Sequence, residues 1–235
     1  MKKIVFAIAR FDGSNSFIQE YQLTYQPKKT VLWWLTRISE ELDVSLTFPG
    51  SCRAGLCGGC GVRVNDHSVL ACETSLDPII DCGTDIIRIA PLQGFPVIRD
   101  LLIDWQPVME KQKQVCPWLS KNINMLIDYE CRQSPAEFNG IKCPASCVTC
   151  GICVSVCPAM ADGQFLEPFV FVKALRLILD SRLGVEKRHL IVCALQEYLP
   201  HCIQCGSCKN ACPKMISPAA AILFLREQGN GLSPF

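Results

Sequence analysis

Two copies of one cysteine spacing place the strongest constraint on how this chain can fold. The stretches CVTCGICVSVCP and CIQCGSCKNACP both read C-x2-C-x2-C-x3-C-P, and they begin at Cys147 and Cys202. In proteins with this paired spacing, three close cysteines bind one 4Fe-4S cluster, and the fourth, just before proline, binds the other. The spacing therefore predicts two interleaved ligand sets, which are Cys147, Cys150, Cys153 and Cys212 for the first cluster and Cys157, Cys202, Cys205 and Cys208 for the second.

A third group of cysteines lies upstream in the stretch SCRAGLCGGCGVRVNDHSVLAC. Its spacing is C-x4-C-x2-C-x11-C, and the first two gaps match those of plant-type 2Fe-2S proteins. The glycines of the loop allow backbone N–H groups to approach the sulfur atoms, because glycine has no Cβ. We expect a 2Fe-2S cluster ligated by Cys52, Cys57, Cys60 and Cys72. Structural zinc, which also accepts four thiolates, is the alternative at all of these sites.

The chain has 17 cysteines in all. An odd number, grouped in CxxC clusters, is not typical of the disulfide framework of a secreted protein, so we expect a cytoplasmic location. Five cysteines fall outside the three ligand sets. They are expected to be small buried apolar side chains, and they are Cys82, Cys116, Cys131, Cys143 and Cys193.

Charge and hydropathy argue against a nucleic-acid-binding protein and against a membrane-spanning protein. The formal net charge is +1, and no basic patch points to nucleic acid. The most apolar run, FVFVKALRLIL, is interrupted by Lys173 and Arg176. It is shorter than the roughly 18 residues that cross a bilayer. The sequence therefore predicts no membrane span of its own.

The pattern of the first hundred residues is typical of a small β-rich domain. Strands are expected at 3–10 and 17–25, with a helix capped by Thr30 between them and later strands at 61–65, 68–72 and 85–90. Asn65 and Asp66 form the expected turn. Mixed strands around one helix favour a β-grasp arrangement.

Helical periodicity dominates from Arg99 onward. Helices are expected at 101–113, capped by Asp100, and at 165–181, 187–199 and 217–228, the last capped by Ser217. The sequence thus predicts an α+β protein: a β-grasp 2Fe-2S domain over 1–98, followed by an all-helical ferredoxin domain with two 4Fe-4S clusters over 99–235.

Together, the three cysteine groups make the chain resemble the iron-sulfur subunit of the succinate dehydrogenase and fumarate reductase family. The resemblance covers nearly the whole length and includes the segments FPVIRDLLIDW and SPAAAI. It implies an electron-transfer subunit of an oxidoreductase complex, without catalytic residues of its own. Electrons would pass between the FAD of a flavoprotein partner and a quinone or another redox partner.

The chain departs from the familiar members of that family at Cys205. Those members lack a cysteine at this position and hold a 3Fe-4S cluster, whereas here a fourth ligand is present. This feature resembles the branch with archaeal-type succinate dehydrogenases and with thiol:fumarate and methylmenaquinol:fumarate reductases. The resemblance implies a more reducing second 4Fe-4S cluster. It also implies a further membrane-anchor or cysteine-rich partner, expected as a separate subunit because this chain ends at Phe235, and with it a place at the cytoplasmic face of the membrane.

Other functions remain open on the sequence alone. The segment AMADGQF follows the first motif where quinone-linked members have aromatic residues, so the terminal acceptor is undetermined. The partner could instead be a 2-hydroxy acid or glycerol-phosphate dehydrogenase, because the substrate residues would lie on that subunit. A soluble polyferredoxin carrier is a further alternative, although such carriers are usually strongly acidic.

Overall fold

The computed structural model describes residues 2–114 and 132–231. Contacts divide the chain into two compact units. The first comprises Met1–Trp105 together with Val148–Val156, and the second comprises Gln106–Cys147 and Cys157–Phe235. The boundary predicted between residues 98 and 99 lies within the first unit, because the short strands Val97–Arg99 and Leu102–Ile103 pair across it.

A mixed sheet forms the centre of the first unit. The strands of the unit are β1 (Lys3–Phe11), β2 (Ser16–Thr24), β3 (Gly61–Val64), β4 (His67–Leu70), β5 (Ile86–Ala90), β6 (Val97–Arg99) and β7 (Leu102–Ile103). The first five form one sheet in the order β2-β1-β5-β3-β4, in which β1 and β5 are parallel. Asn65 and Asp66, both with positive φ, make the tight turn between β3 and β4. This topology agrees with the predicted β-grasp arrangement.

The helices, in chain order, are α1 (Val31–Glu41), α2 (Asp77–Asp81), α3 (Gln106–Gln114), α4 (Pro135–Ala145), α5 (Ile152–Ser155), α6 (Pro168–Ile178), α7 (Val185–Leu195), α8 (Ser207–Asn210) and α9 (Pro218–Gly231). Thr30 caps α1 as predicted, because its side chain accepts a hydrogen bond from the N–H of Trp33. Ser217 likewise accepts from the N–H of Ala220 at the start of α9. The sequence did not predict α2, α4 or the one-turn helices α5 and α8.

Each unit has its own core of buried apolar side chains. In the first unit, Phe6 of β1 and Trp34 of α1 are fully buried and their rings lie 5.3 Å apart. In the second, α6 packs against α4 and α9, with Phe169 and Leu177 of α6 buried. Within the described ranges, no helix is long and apolar enough to cross a bilayer. The α+β fold class is confirmed.

Asp100 does not cap a helix, contrary to the sequence-based prediction. The chain continues from it into β7, and α3 begins only at Gln106. The Asp100 carboxylate instead accepts hydrogen bonds from the backbone N–H groups of Phe11 and Thr47. It also pairs with the guanidinium of Arg10 at 2.8 Å.

Arg10 is the centre of a buried polar network in the first unit. Its side chain is 5% exposed, and it donates to Asp100, to Asp43 at 2.6 Å, to the hydroxyl of Tyr21 at 2.6 Å and to Ser45 at 2.9 Å. Hydrogen bonds from Ser45, Tyr21 and Arg10 hold the pKa of Asp43 well below its usual range. The network joins both strands of the first hairpin to the segments that follow α1 and β6.

Candidate cluster-binding sites

The loop from Cys52 to Cys60 directs backbone N–H groups toward cysteine sulfurs. The N–H groups of Leu56 and Cys57 both donate to Cys52 Sγ at 3.3 Å. The N–H of Gly55, at a positive φ, donates to Cys72 Sγ at 3.2 Å. The sulfurs of Cys60 and Cys72 lie 3.2 Å apart. The structure therefore places Cys72 against the loop that carries Cys52, Cys57 and Cys60.

The environments of these thiols differ within the loop. Hydrogen bonds from the backbone N–H of Ala54 and from Cys57 lower the pKa of Cys52 to about 6. Burial raises the pKa of Cys60 to about 12. Cysteine binds a metal as the thiolate. The backbone N–H groups of the loop therefore stabilise the ligand form of Cys52. The buried thiolate of Cys60 requires a nearby positive charge, which iron would supply.

Gly58 lies where its loop passes close to the segment 148–156. A Cβ at this position would lie 3.0 Å from Cys150 Cα and closer still to the carbonyl oxygen of Val148. Both are backbone atoms, and the φ of +72° already disfavours any other residue. The sequence predicted that glycines serve this loop, and here the close approach to a second segment explains one of them.

Gly58→Ala is therefore expected to destabilise the first unit by clearly more than the ~1–2 kcal/mol of an ordinary left-handed alanine. It is also expected to reduce the occupancy of the 2Fe-2S site. Gly83→Ala is the matched control, because Gly83 has φ +87° with open space around the added Cβ. Anaerobic urea unfolding and visible absorbance would measure both effects. Equal losses of stability and of cluster absorbance in the two variants would contradict the steric explanation.

The two C-x2-C-x2-C-x3-C-P motifs adopt the same local backbone. Thr149 and Gln204, at the same place in each motif, have φ values of 55° and 56°, and Gly151 and Gly206 both have φ 77°. A one-turn helix follows in each case, α5 in the first motif and α8 in the second. The sequence repeat is thus also a structural repeat.

Four cysteines of the second unit line one small apolar cavity: Cys157, Cys202, Cys205 and Cys208. Burial raises the pKa of Cys157 and of Cys208. Hydrogen bonding with Ser207 lowers the pKa of Cys205, which is exposed. Cys157 belongs to the first motif and the other three to the second, so the cavity joins the two motifs as the interleaved spacing predicts. Four thiols around one cavity provide the donor set that a cubane cluster needs.

The four remaining motif cysteines are buried or half-buried. Cys147 and Cys212, both half-buried, pack against the same apolar cluster of Val172, Ile216 and Ala221 in the second unit. The N–H of Ile216 donates to Cys212 Sγ at 3.4 Å. Cys150 and Cys153, in the segment assigned to the first unit, are buried.

Two basic side chains that the sequence analysis did not select hold the backbone of these motifs. Lys173 of α6 donates to the carbonyl of Cys147 at 2.7 Å. Arg226 of α9 donates to the carbonyl of Cys202 at 2.8 Å. The available signal for Lys173 was its position as a single lysine in an apolar helix. Arg226 gave no local signal.

The prediction that the other cysteines are buried is wrong for Cys82, Cys143 and Cys193. All three are exposed. Cys193 Sγ lies 3.4 Å from His189 Nε2, one turn away on α7. Cys116 and Cys131 lie outside the described residues.

Comparison with known protein families agrees with the division of the cysteines. Residues 5–110 match the model of a 2Fe-2S iron-sulfur cluster binding domain. Residues 143–216 match the model of a 4Fe-4S dicluster domain. Iron-sulfur clusters, rather than zinc, are thus the cofactors of these sites.

Curated relatives match along almost the entire chain. The chain is 39% identical to the 8-methylmenaquinol:fumarate reductase iron-sulfur subunit of Wolinella succinogenes, over 94% of this chain and 71% of that protein. It is 37% identical to the fumarate reductase iron-sulfur subunit of Mycobacterium tuberculosis, over 94% and 91%. A solved chain from the Mycobacterium smegmatis Sdh1 complex in the apo form has the same fold, with a TM-score of 0.84 at 22% identity over 97% of this chain and 96% of that one.

Proposed function

The chain belongs to the family of iron-sulfur subunits of fumarate reductases and succinate dehydrogenases, and on this premise we propose which cysteines hold its clusters and which partners it connects. It is an electron-transfer subunit of an oxidoreductase complex of this type. The cavity lined by Cys157 and by three cysteines of the second motif carries the proposal. It supports four-cysteine ligation at the second 4Fe-4S site.

The proposed ligand sets follow the cysteine spacing. The 2Fe-2S set is supported by the N–H groups directed at Cys52 and Cys72, and the second 4Fe-4S set by the shared cavity. The set of the first 4Fe-4S cluster rests on the spacing of its motif. The three sets are Cys52, Cys57, Cys60 and Cys72; Cys147, Cys150, Cys153 and Cys212; and Cys157, Cys202, Cys205 and Cys208.

The bound clusters would supply one-electron transfer, which protein side chains do not provide. The chain itself supplies thiolate ligands, N–H donors to their sulfurs and an apolar surround that limits water. The backbone N–H groups of Ala159 and Met160 donate to the sulfur of Cys157, and that of Ala219 donates to the sulfur of Cys208. These donors stabilise negative charge on sulfur and so favour the reduced state.

The chain is proposed to pass electrons between two partner subunits. A flavoprotein subunit with FAD would exchange electrons with fumarate or succinate. A further membrane-anchor or cysteine-rich subunit would exchange them with a quinone or another redox partner and would hold the complex at the cytoplasmic face of the membrane. The name of the Wolinella relative, which includes 8-methylmenaquinol, supports a quinol at that side.

Purification of the native complex without oxygen tests the proposal. We expect about ten irons per chain, as one 2Fe-2S and two 4Fe-4S clusters require. A flavin-containing subunit should copurify, and the reduced clusters should be oxidised by added fumarate. EPR during a redox titration should show two 4Fe-4S centres.

Two results would contradict different parts of it. A complex that contains flavin but whose reduced clusters are not oxidised by fumarate would refute the proposed substrate while leaving the electron relay in place. An intact oxidised protein with a native 3Fe-4S signal would refute four-cysteine ligation at the second site.

A further inference from the structure

Lys173 is the one lysine of α6, a helix whose other side chains are apolar except for Arg176. Its neighbours on α6, Val172 and Ala174, are buried, and Lys173 itself is half-buried. In the part of the chain that the structure describes, its ammonium pairs with no carboxylate and donates to the Cys147 carbonyl. A half-buried charge without a counter-ion is unfavourable, so its presence needs an explanation.

Arg226 repeats this arrangement at the other motif. It is also half-buried, and its guanidinium donates to the carbonyls of Leu199 and Cys202. Among the described residues it likewise pairs with no carboxylate. Cys147 and Cys202 are the first cysteines of the two motifs, so each motif has one cation at the same backbone position.

Each cation comes from a different helix, and neither arises from the repeat itself. Lys173 lies on α6 and Arg226 on α9, and both helices lie outside the repeated sequence. The repeated backbone conformation therefore does not account for the cations. Two different residue types reach the same carbonyl from unrelated positions.

The negative charge of each cluster site accounts for both cations. Four thiolates leave a 4Fe-4S site with a net negative charge, and this charge increases on reduction. A cation fixed beside the site lowers the energy of the reduced state more than that of the oxidised state. We propose that Lys173 and Arg226 are positioning residues that each raise the reduction potential of one 4Fe-4S site, Lys173 that of the first and Arg226 that of the second. The inference rests on the ligand sets proposed above.

A purely structural role is the competing explanation. The Cys147 carbonyl lies directly after α4, and the Leu199 carbonyl lies in a 3-10 turn. Basic side chains often hydrogen-bond the last carbonyls of a helix. Removing such a cap would lower stability but would leave the reduction potentials unchanged, so the potential separates the two explanations.

The test is an EPR-monitored redox titration of the purified complex with Lys173→Gln, Lys173→Arg, Arg226→Gln and Arg226→Lys. Glutamine can keep the hydrogen bond without the charge, and the two exchanges keep the charge. Combining each variant with Cys205→Ala, which removes a ligand from the second set only, assigns each signal to its site. Iron content is measured first, for every variant.

With Lys173→Gln we expect the ratio of reduced to oxidised first cluster, at a fixed solution potential, to fall roughly tenfold. That is a shift of about 59 mV for a one-electron couple. Arg226→Gln should produce the same change at the second cluster alone, and the charge-preserving exchanges should restore most of it. Arg176→Gln is the matched control on α6, because Arg176 faces Asp180, which keeps Arg182 as its partner.

Unchanged potentials in both glutamine variants, with full iron content, would overturn the inference and establish the structural role. Equal shifts of both clusters in every variant, Arg176→Gln included, would also overturn it, because the effect would then reflect net charge alone. Selective loss of one cluster from one glutamine variant would overturn it as well, because the cation would then be needed to hold the cluster rather than to set its potential. An iron content below about ten in the unaltered complex would instead contradict the ligand sets, and this inference with them.

Discussion

Cys205→Ala protein is expected to assemble with roughly one iron fewer per chain and to show a 3Fe-4S signal when oxidised. The reason is that the cavity shared with Cys157, Cys202 and Cys208 would then offer three thiolates. The resemblance to three-cysteine members of the family implies that such a site holds three irons. The potential of the second site should rise accordingly. Iron analysis and EPR of the anaerobic, untreated complex would measure both changes.

Cys193→Ala is the control for this experiment. Cys193 is exposed in the same unit and belongs to none of the proposed ligand sets. Its removal should leave iron content and spectra unchanged. A full iron complement in Cys205→Ala, with an unaltered spectrum, would show that Cys205 is not a ligand.

Arg10→Met is expected to lower the free energy of unfolding of the first unit by about 3–5 kcal/mol. The substitution leaves Asp100, whose side chain is only 2% exposed, and the half-buried Asp43 without their cation. Arg37→Met is the matched control, because Arg37 and Glu41 form an ion pair that is 32% and 48% exposed. Exposed pairs of this kind contribute about 0–1 kcal/mol. Anaerobic urea unfolding followed by tryptophan fluorescence would compare the two variants.

The acid dependence of stability gives this prediction a second readout. The folded-state pKa of Asp43 is depressed, so its contribution is present above the ordinary aspartate pKa of about 4 and is lost as the pH falls toward the lower folded value. Arg10 is one cause of that depression. Arg10→Met should therefore lose less stability than the unaltered protein between neutral pH and that acid range. An unfolding midpoint for Arg10→Met equal to that of Arg37→Met would contradict the role of the network.

The sequence was sufficient to predict the elements that depend on local patterns. Alternating apolar residues predicted the two strands that form the first hairpin, and Thr30 predicted the start of α1. The cysteine spacing also predicted which thiols share a cavity in the second unit. In each case the determining signal lies within a few residues or within a known ligand spacing.

Features that depend on distant contacts were not predictable in this way. Asp100 was expected to cap a helix, but its carboxylate binds Arg10, which lies 90 positions away in the chain. The helix α4 was missed for a different reason: its start carries a local signal, the capping box of Ser134 and Glu137, but its interior contains Gly140 and Pro144 and has a weak apolar pattern. Exposure of Cys82, Cys143 and Cys193 depends on which helix faces find partners.

The make-up of the first compact unit bears on the order of events during synthesis at the ribosome. Val148–Val156, which carry Cys150 and Cys153, belong to this unit but emerge well after Trp105. Gly58 and Gly61 both approach Cys150, so the close packing of the N-terminal loop waits for that later segment. Chains usually fold domain by domain as they are made. Here the first unit is completed only after more than half of the chain has been translated, and a fragment that stops at residue 98 would lack part of that unit.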